Sequence, residues 1–174
     1  MYHLTILAIC ALTLAAQADN ITLPTTGQAV QGVISTGSQR DANYTVTFPT
    51  TSSTTVVGSA TSFAWIPNNT DPKWAAAGNW ITPTSNGMAN LAAGTYTFTV
   101  EFTLPAGVTS LASSLYCDDR VEVWLNGKLV TQLPNDPGSG YWAHTLSNFT
   151  ATSGFLIGDN VLEFRVVNTN HNLS

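Results

Sequence analysis

Residues 116–130 read Tyr-Cys-Asp-Asp-Arg-Val-Glu-Val-Trp-Leu-Asn-Gly-Lys-Leu-Val, and this stretch decides the fold class. Val121, Val123 and Leu125 alternate with Glu122 and Trp124, so one face of an extended segment is apolar and the other mixed. Asn126-Gly127 supplies a two-residue turn, because both residues tolerate positive φ, and Lys128-Leu129-Val130 starts the return strand. The segment is a β-hairpin, with its Val/Leu face set against a core.

The same period of two recurs along the chain. Residues 95–104 place Tyr96, Phe98, Val100, Phe102 and Leu104 on one face and Thr97, Thr99, Glu101 and Thr103 on the other. Residues 43–48 do so with Tyr44, Val46 and Phe48, and residues 160–168 with Leu162, Phe164 and Val166. Shorter strands are expected around residues 29–34, 56–66, 80–81, 114–117 and 142–149. Pro83, residues 105–107, residues 134–140 and Gly158-Asp159-Asn160 read as turn signals. About eight to ten short strands without a convincing helix predict an all-β antiparallel sandwich or barrel. The abundance of Thr and the scarcity of Lys and Glu favour the same class.

The 174 residues suit one domain preceded by a leader. Residues 4–16 are an apolar run too short to span a bilayer, and Ala16-Gln17-Ala18 is a small-residue cleavage pattern. Residues 1–18 read as a secretory signal peptide, although no Lys or Arg precedes the run. The mature chain would then be secreted or held at the cell surface, with an arm over residues 19–37 and the β domain over 38–174. Cys117 would be its only cysteine, expected as a small core thiol. Leu23-Pro24-Thr25-Thr26-Gly27 matches a sortase pattern but lacks the apolar and basic tail that such a signal requires, so it reads as a turn. Five N-x-S/T sequons begin at Asn20, Asn43, Asn68, Asn148 and Asn172.

Five basic and ten acidic side chains give a net charge of −5 without a basic patch, which argues against nucleic acid and anionic membranes as partners. No later run approaches the length of a membrane helix. Catalysis is not expected. His144 and His171 accompany no nucleophile motif, and no zinc spacing is present. Glu101, Glu122 and Glu163 fall on outward strand faces, where Arg165 and Lys128 are expected as cross-strand partners.

Several segments together resemble one family. They are Asp41-Ala42-Asn43-Tyr44; Trp65, Trp74 and Trp80; residues 94–98 (GTYTF); Cys117-Asp118-Asp119-Arg120 leading into residues 123–127 (VWLNG); and residues 158–168 (GDNVLEFRVVN). This set resembles the galactose-binding-like jelly roll. It is similar to the sugar-binding domains of bacterial glycoside hydrolases and to modules of secreted PEP-CTERM-type surface proteins. The similarity covers about residues 39–174 and is more specific in the later half. In such relatives a further strand usually follows the segment matching Asn168.

The resemblance implies an antiparallel jelly-roll β-sandwich whose ligand is a carbohydrate or cell-surface glycan, met by loops at one end or by a sheet face. Sugars take aromatic rings against their C–H faces and polar side chains at their hydroxyls. Trp74, Tyr141 and Trp142 are the candidate rings, with Asn135, Asp136, His144, Asp118, Asp119 and Arg120 as polar contacts. The plainer reading places each Trp at the core edge and pairs Asp118, Asp119 and Arg120 locally. Trp124 is open to two readings, a sheet-face platform or a ring beneath a covering loop. Relatives often carry a structural calcium, for which Asp41 and Asn43 are the candidate ligands. A second functional class stands beside the binder: a structural or adhesive protein that self-associates by strand exchange through its 19–37 arm.

Overall fold

The computed structural model describes residues 7–15, 28–30, 33–34, 39–49, 61–66, 80–81, 83, 91–117, 120–133 and 147–168. Among these residues the structure is all-β, with antiparallel pairing throughout and no helix. No helix there is long and apolar enough to cross a membrane.

The strands in chain order are β1 (Leu7–Ala15), β2 (Gln28–Val30), β3 (Val33–Ile34), β4 (Gln39–Thr47), β5 (Thr61–Ile66), β6 (Trp80–Ile81), β7 (Gly94–Leu104), β8 (Ser110–Cys117), β9 (Arg120–Leu125), β10 (Lys128–Leu133), β11 (Ser147–Ala151) and β12 (Gly158–Asn168). A six-stranded sheet runs β10-β9-β12-β7-β4-β5, a four-stranded sheet runs β11-β8-β1-β6, and β2 pairs with β3. The apolar run read as a leader is thus drawn into the four-stranded sheet as β1. Strand β12 is flanked on both sides, by β9 and β7.

The hairpin forms as its sequence dictates. Asn126 has φ of 49° and Gly127 of 75°, and Lys128 pairs with Leu125. Alternation then sorts the faces. Val121, Val123 and Leu125 of β9, Leu162, Phe164 and Val166 of β12, and Tyr96, Phe98, Val100, Phe102 and Leu104 of β7 are all buried. Leu111, Leu115, Phe149 and Ala151 of the four-stranded sheet belong to the same core. The rings of Phe149 and Phe164 meet edge to face, with centroids 6.1 Å apart, and join the two sheets. Burial of each large side chain contributes about 1.5–3 kcal/mol. Cys117 is half-buried, carries no disulfide and packs against this core.

Three local details differ from the sequence reading. Gly158-Asp159-Asn160 is the start of a strand rather than a turn, since Gly158 already pairs with Leu104 and Asn160 with Phe102. Strand β8 begins at Ser110, four residues ahead of the expected start. Gly94 opens β7 because its backbone has φ of +146° and a Cβ there would lie 2.5 Å from the Cβ of Pro49.

Two motifs distant in sequence lock together at one end of the six-stranded sheet. The Asn126 backbone N–H donates to the Val161 carbonyl at 2.9 Å, and the Val161 N–H donates to Asn126 Oδ1 at 2.8 Å. Asn126 Nδ2 donates to the Gly154 carbonyl and to Asn160 Oδ1, each at 2.8 Å. Asn160, with no exposed surface, also accepts from the Leu156 N–H and donates to the Leu156 and Gly158 carbonyls. The hairpin turn and the 154–158 loop are therefore one hydrogen-bonded unit.

Two buried tyrosines give the fold an alkaline limit. Burial pushes the Tyr44 hydroxyl well above its ordinary value, and the charge of Asp41 adds to the effect. Burial also raises Tyr96, partly offset by the hydrogen bond its hydroxyl donates to the Ala92 carbonyl. A raised folded-state pKa means that the unfolded chain loses these protons first. Their contribution to stability is complete below about pH 10 and is lost as the pH climbs toward the folded values. Urea melts are expected to show stability falling above pH 10, with a late-ionising tyrosine fraction at 295 nm that disappears on unfolding. Full tyrosine ionisation in the native protein near pH 10 would contradict this.

Candidate functional site

The burial of Val121, Val123 and Leu125 obliges Arg120, Glu122 and Trp124 to face outward, and all three are half-buried there. Strand β12 likewise turns out Glu163 and Arg165, β7 turns out Thr97 and Thr99, and β4 turns out Thr45 and Thr47. Strand register aligns these side chains into two rows across five strands. The first runs Leu129, Trp124, Glu163, Thr99, Thr45, and the second runs Gln132, Glu122, Arg165, Thr97, Thr47. At strand spacings of about 4.8 Å, each row spans roughly 19 Å.

The centre of this face is a connected cluster. The Arg165 guanidinium carbon lies 4.0 Å from the centroid of the Trp124 ring. Its Nη2 and Nε donate to Glu163 Oε2 at 2.6 and 3.1 Å. Trp124 Nε1 donates to Glu122 Oε2 at 3.1 Å. The indole is thereby fixed at its edge by a carboxylate and on its face by a cation. The half-exposed ion pair is worth about 0–1 kcal/mol and the cation–π contact about 0.5–1 kcal/mol, so the cluster adds little to folding. What it provides is preorganisation: an aromatic ring in one orientation, bordered by Leu129, which is 52% exposed, and by paired threonines. Such a surface has an apolar end, a charged middle and a hydroxyl-bearing end.

Comparison with family models, with curated proteins and with solved structures found no match to this chain.

Of the site residues expected from sequence, Arg120 stands at the start of β9. It is half-buried on this same outer face, opposite Val167 and one step beyond Glu122. Trp74, Asp118, Asp119, Asn135, Asp136, Tyr141, Trp142 and His144 lie outside the described residues. The outward placement of Glu101, Glu122 and Glu163 is observed, but Arg165 bonds Glu163 of its own strand rather than a cross-strand carboxylate. Glu163, Arg165 and the four threonines join the site without belonging to any motif of the sequence. Their signal was the phase of the alternation: each lies one residue from a core position, as Trp124 does.

Asp41 and Asn43, the calcium candidates, sit where the β4–β5 register shifts between Arg40 and Thr45. Asp41 is 1% exposed, and its Oδ1 accepts the backbone N–H groups of Asn43 at 2.8 Å and Tyr44 at 3.0 Å. That carboxylate oxygen serves the backbone of the bulge. Among the described residues no three His, Cys, Asp or Glu side chains are grouped to hold a metal. Calcium takes six to eight oxygens, and the contacts seen at Asp41 Oδ1 are with backbone N–H donors.

Proposed function

We propose that the chain is a secreted, non-catalytic carbohydrate-binding module with a galactose-binding-like jelly-roll sandwich, and that it takes a glycan along the outer face of its six-stranded sheet. The observation that carries this reading is the fixed Trp124 ring continuing, in register, into the threonine pairs Thr99–Thr45 and Thr97–Thr47. Leu129 and the indole offer an apolar surface to sugar C–H faces. Arg165 donates and the glutamate oxygens accept at hydroxyls, while each threonine does both. An extended glycan lying across the strands would meet a new outward side chain about every 4.8 Å, a step comparable with its own advance per sugar. Trp74, Tyr141, Trp142, Asp118, Asp119, Asn135, Asp136 and His144 enter the same proposal as contacts from loops.

The test is depletion of the protein from solution by a panel of insoluble polysaccharides. Wild type is expected to be retained by at least one of them. Trp124→Ala should weaken retention about tenfold, equivalent to about 1.4 kcal/mol, and Thr99→Val should weaken it less. Retention by none of the panel, or equal retention of Trp124→Ala, would sink the proposal.

A further inference from the structure

We infer that Asn126 is a deamidation site that the fold holds in check, and that its conversion unlocks one end of the six-stranded sheet. This chemistry needs no ligand and no second protein. Asn126 precedes Gly127, and glycine offers its nitrogen to the preceding side chain with no Cβ in the way. In an unfolded chain that nitrogen attacks Cγ of the asparagine. A C–N bond forms, Nδ2 leaves as ammonia, and water opens the resulting succinimide at either carbonyl. The products are aspartate, and isoaspartate with one extra carbon in the main chain.

The fold holds the reacting amide at both ends. Asn126 Oδ1 accepts the Val161 N–H at 2.8 Å. Nδ2 donates to the Gly154 carbonyl and to Asn160 Oδ1, each at 2.8 Å. These side-chain bonds must break before Cγ can swing onto the Gly127 nitrogen and Nδ2 can depart. The nucleophile is not shielded, since Gly127 is exposed. Asn126 is therefore kept intact by its bonding partners. Reaction proceeds from an opened state, at a rate set by how often the hairpin turn leaves the 154–158 loop.

Neither product restores the native contacts. Aspartate at 126 keeps an acceptor for the Val161 N–H. Its second oxygen, however, faces the Gly154 carbonyl and Asn160 Oδ1, three acceptors with no proton between them. Asn160 cannot turn its amide to supply one. Its Nδ2 is held by the Leu156 and Gly158 carbonyls and its Oδ1 by the Leu156 N–H. Isoaspartate lengthens a turn that two residues close, against the Lys128–Leu125 pair.

The full chain is aged in neutral buffer, folded and in urea, and peptide mapping by mass spectrometry separates asparagine, aspartate and isoaspartate. The second Asn-Gly pair, Asn86-Gly87, supplies a reference within the same molecule, because the two sites should react alike in urea. Asn126 is expected to deamidate at least about tenfold more slowly in the folded protein than in urea. Asn160→Ala should return much of that rate. Phe164→Ala, a core truncation away from the turn, should return less, since the opening is local. In the Asn126→Asp protein, amide exchange should accelerate at Leu156 more than at Phe98. A folded-state rate equal to or above the rate in urea overturns the proposal, and that comparison needs no variant. So does a greater acceleration by Phe164→Ala than by Asn160→Ala, or an Asn126→Asp protein whose Leu156 amide is as protected as in the parent.

Discussion

Phe164→Ala is expected to lower unfolding free energy by about 3–5 kcal/mol, the largest loss from any single side chain considered. Phe164 has no exposed surface, pairs with Phe98 on one side and Val123 on the other, and meets Phe149 of the four-stranded sheet. Truncation removes the ring from the junction of both sheets and leaves a cavity that a β ladder cannot collapse to fill. Against a typical total of about 5–15 kcal/mol, this is a large part of the stability. Urea denaturation should show a midpoint roughly 2 M lower with an unchanged slope. A loss under 1 kcal/mol would mean that the two sheets do not pack through this ring.

Asn160→Ala is expected to cost about 3 kcal/mol, through a different mechanism. The side chain is fully buried and serves Leu156 N–H, the Leu156 and Gly158 carbonyls, and Asn126 Nδ2. Alanine removes all four bonds and leaves the partners without a replacement acceptor or donor. Because these bonds tie the 154–158 loop to the hairpin, amide exchange should accelerate at Leu156 and Val161 more than at Phe98. Asn160→Asp keeps the acceptor for Leu156 N–H and Asn126 Nδ2 but sets a buried carboxylate oxygen against the Leu156 and Gly158 carbonyls, and is expected to cost at least as much as alanine at neutral pH. Uniform acceleration across the sheet would show that Asn160 acts on global stability alone.

The strands that bury a large side chain at every second position were legible from sequence. The stretch read as 95–104 is β7, and its five predicted inward residues are the five that are buried. The Asn126-Gly127 hairpin was equally plain, because positive φ restricts residue choice so strongly. Strand β8 was legible only at its end. Ser113 is buried and Ala112 half-buried, so small side chains in a strand paired on both sides blur the alternation. The tripeptide Gly158-Asp159-Asn160 has the composition of a turn, and tertiary pairing with β7 overrides it while the Asn160 side chain closes the loop before it. The candidate site was legible only in pieces. That Trp124 faces outward follows from Val123 and Leu125 facing inward. That Arg165 covers its ring and Thr99 lies in its row depends on which strands are neighbours and in what register, and local sequence carries neither.

The proposed ligand surface is the outer face of the six-stranded sheet. The direct measurement is backbone amide chemical-shift mapping on ¹⁵N-labelled protein, titrated with an oligosaccharide of the best-retained polysaccharide. Saturable shifts are expected, centred on Trp124, Glu163, Arg165, Thr97 and Thr99, weakening toward Thr45 and Leu129, and abolished in Trp124→Ala. Saturable shifts confined to residues away from these rows, with the Trp124 and Arg165 resonances unmoved, would contradict it.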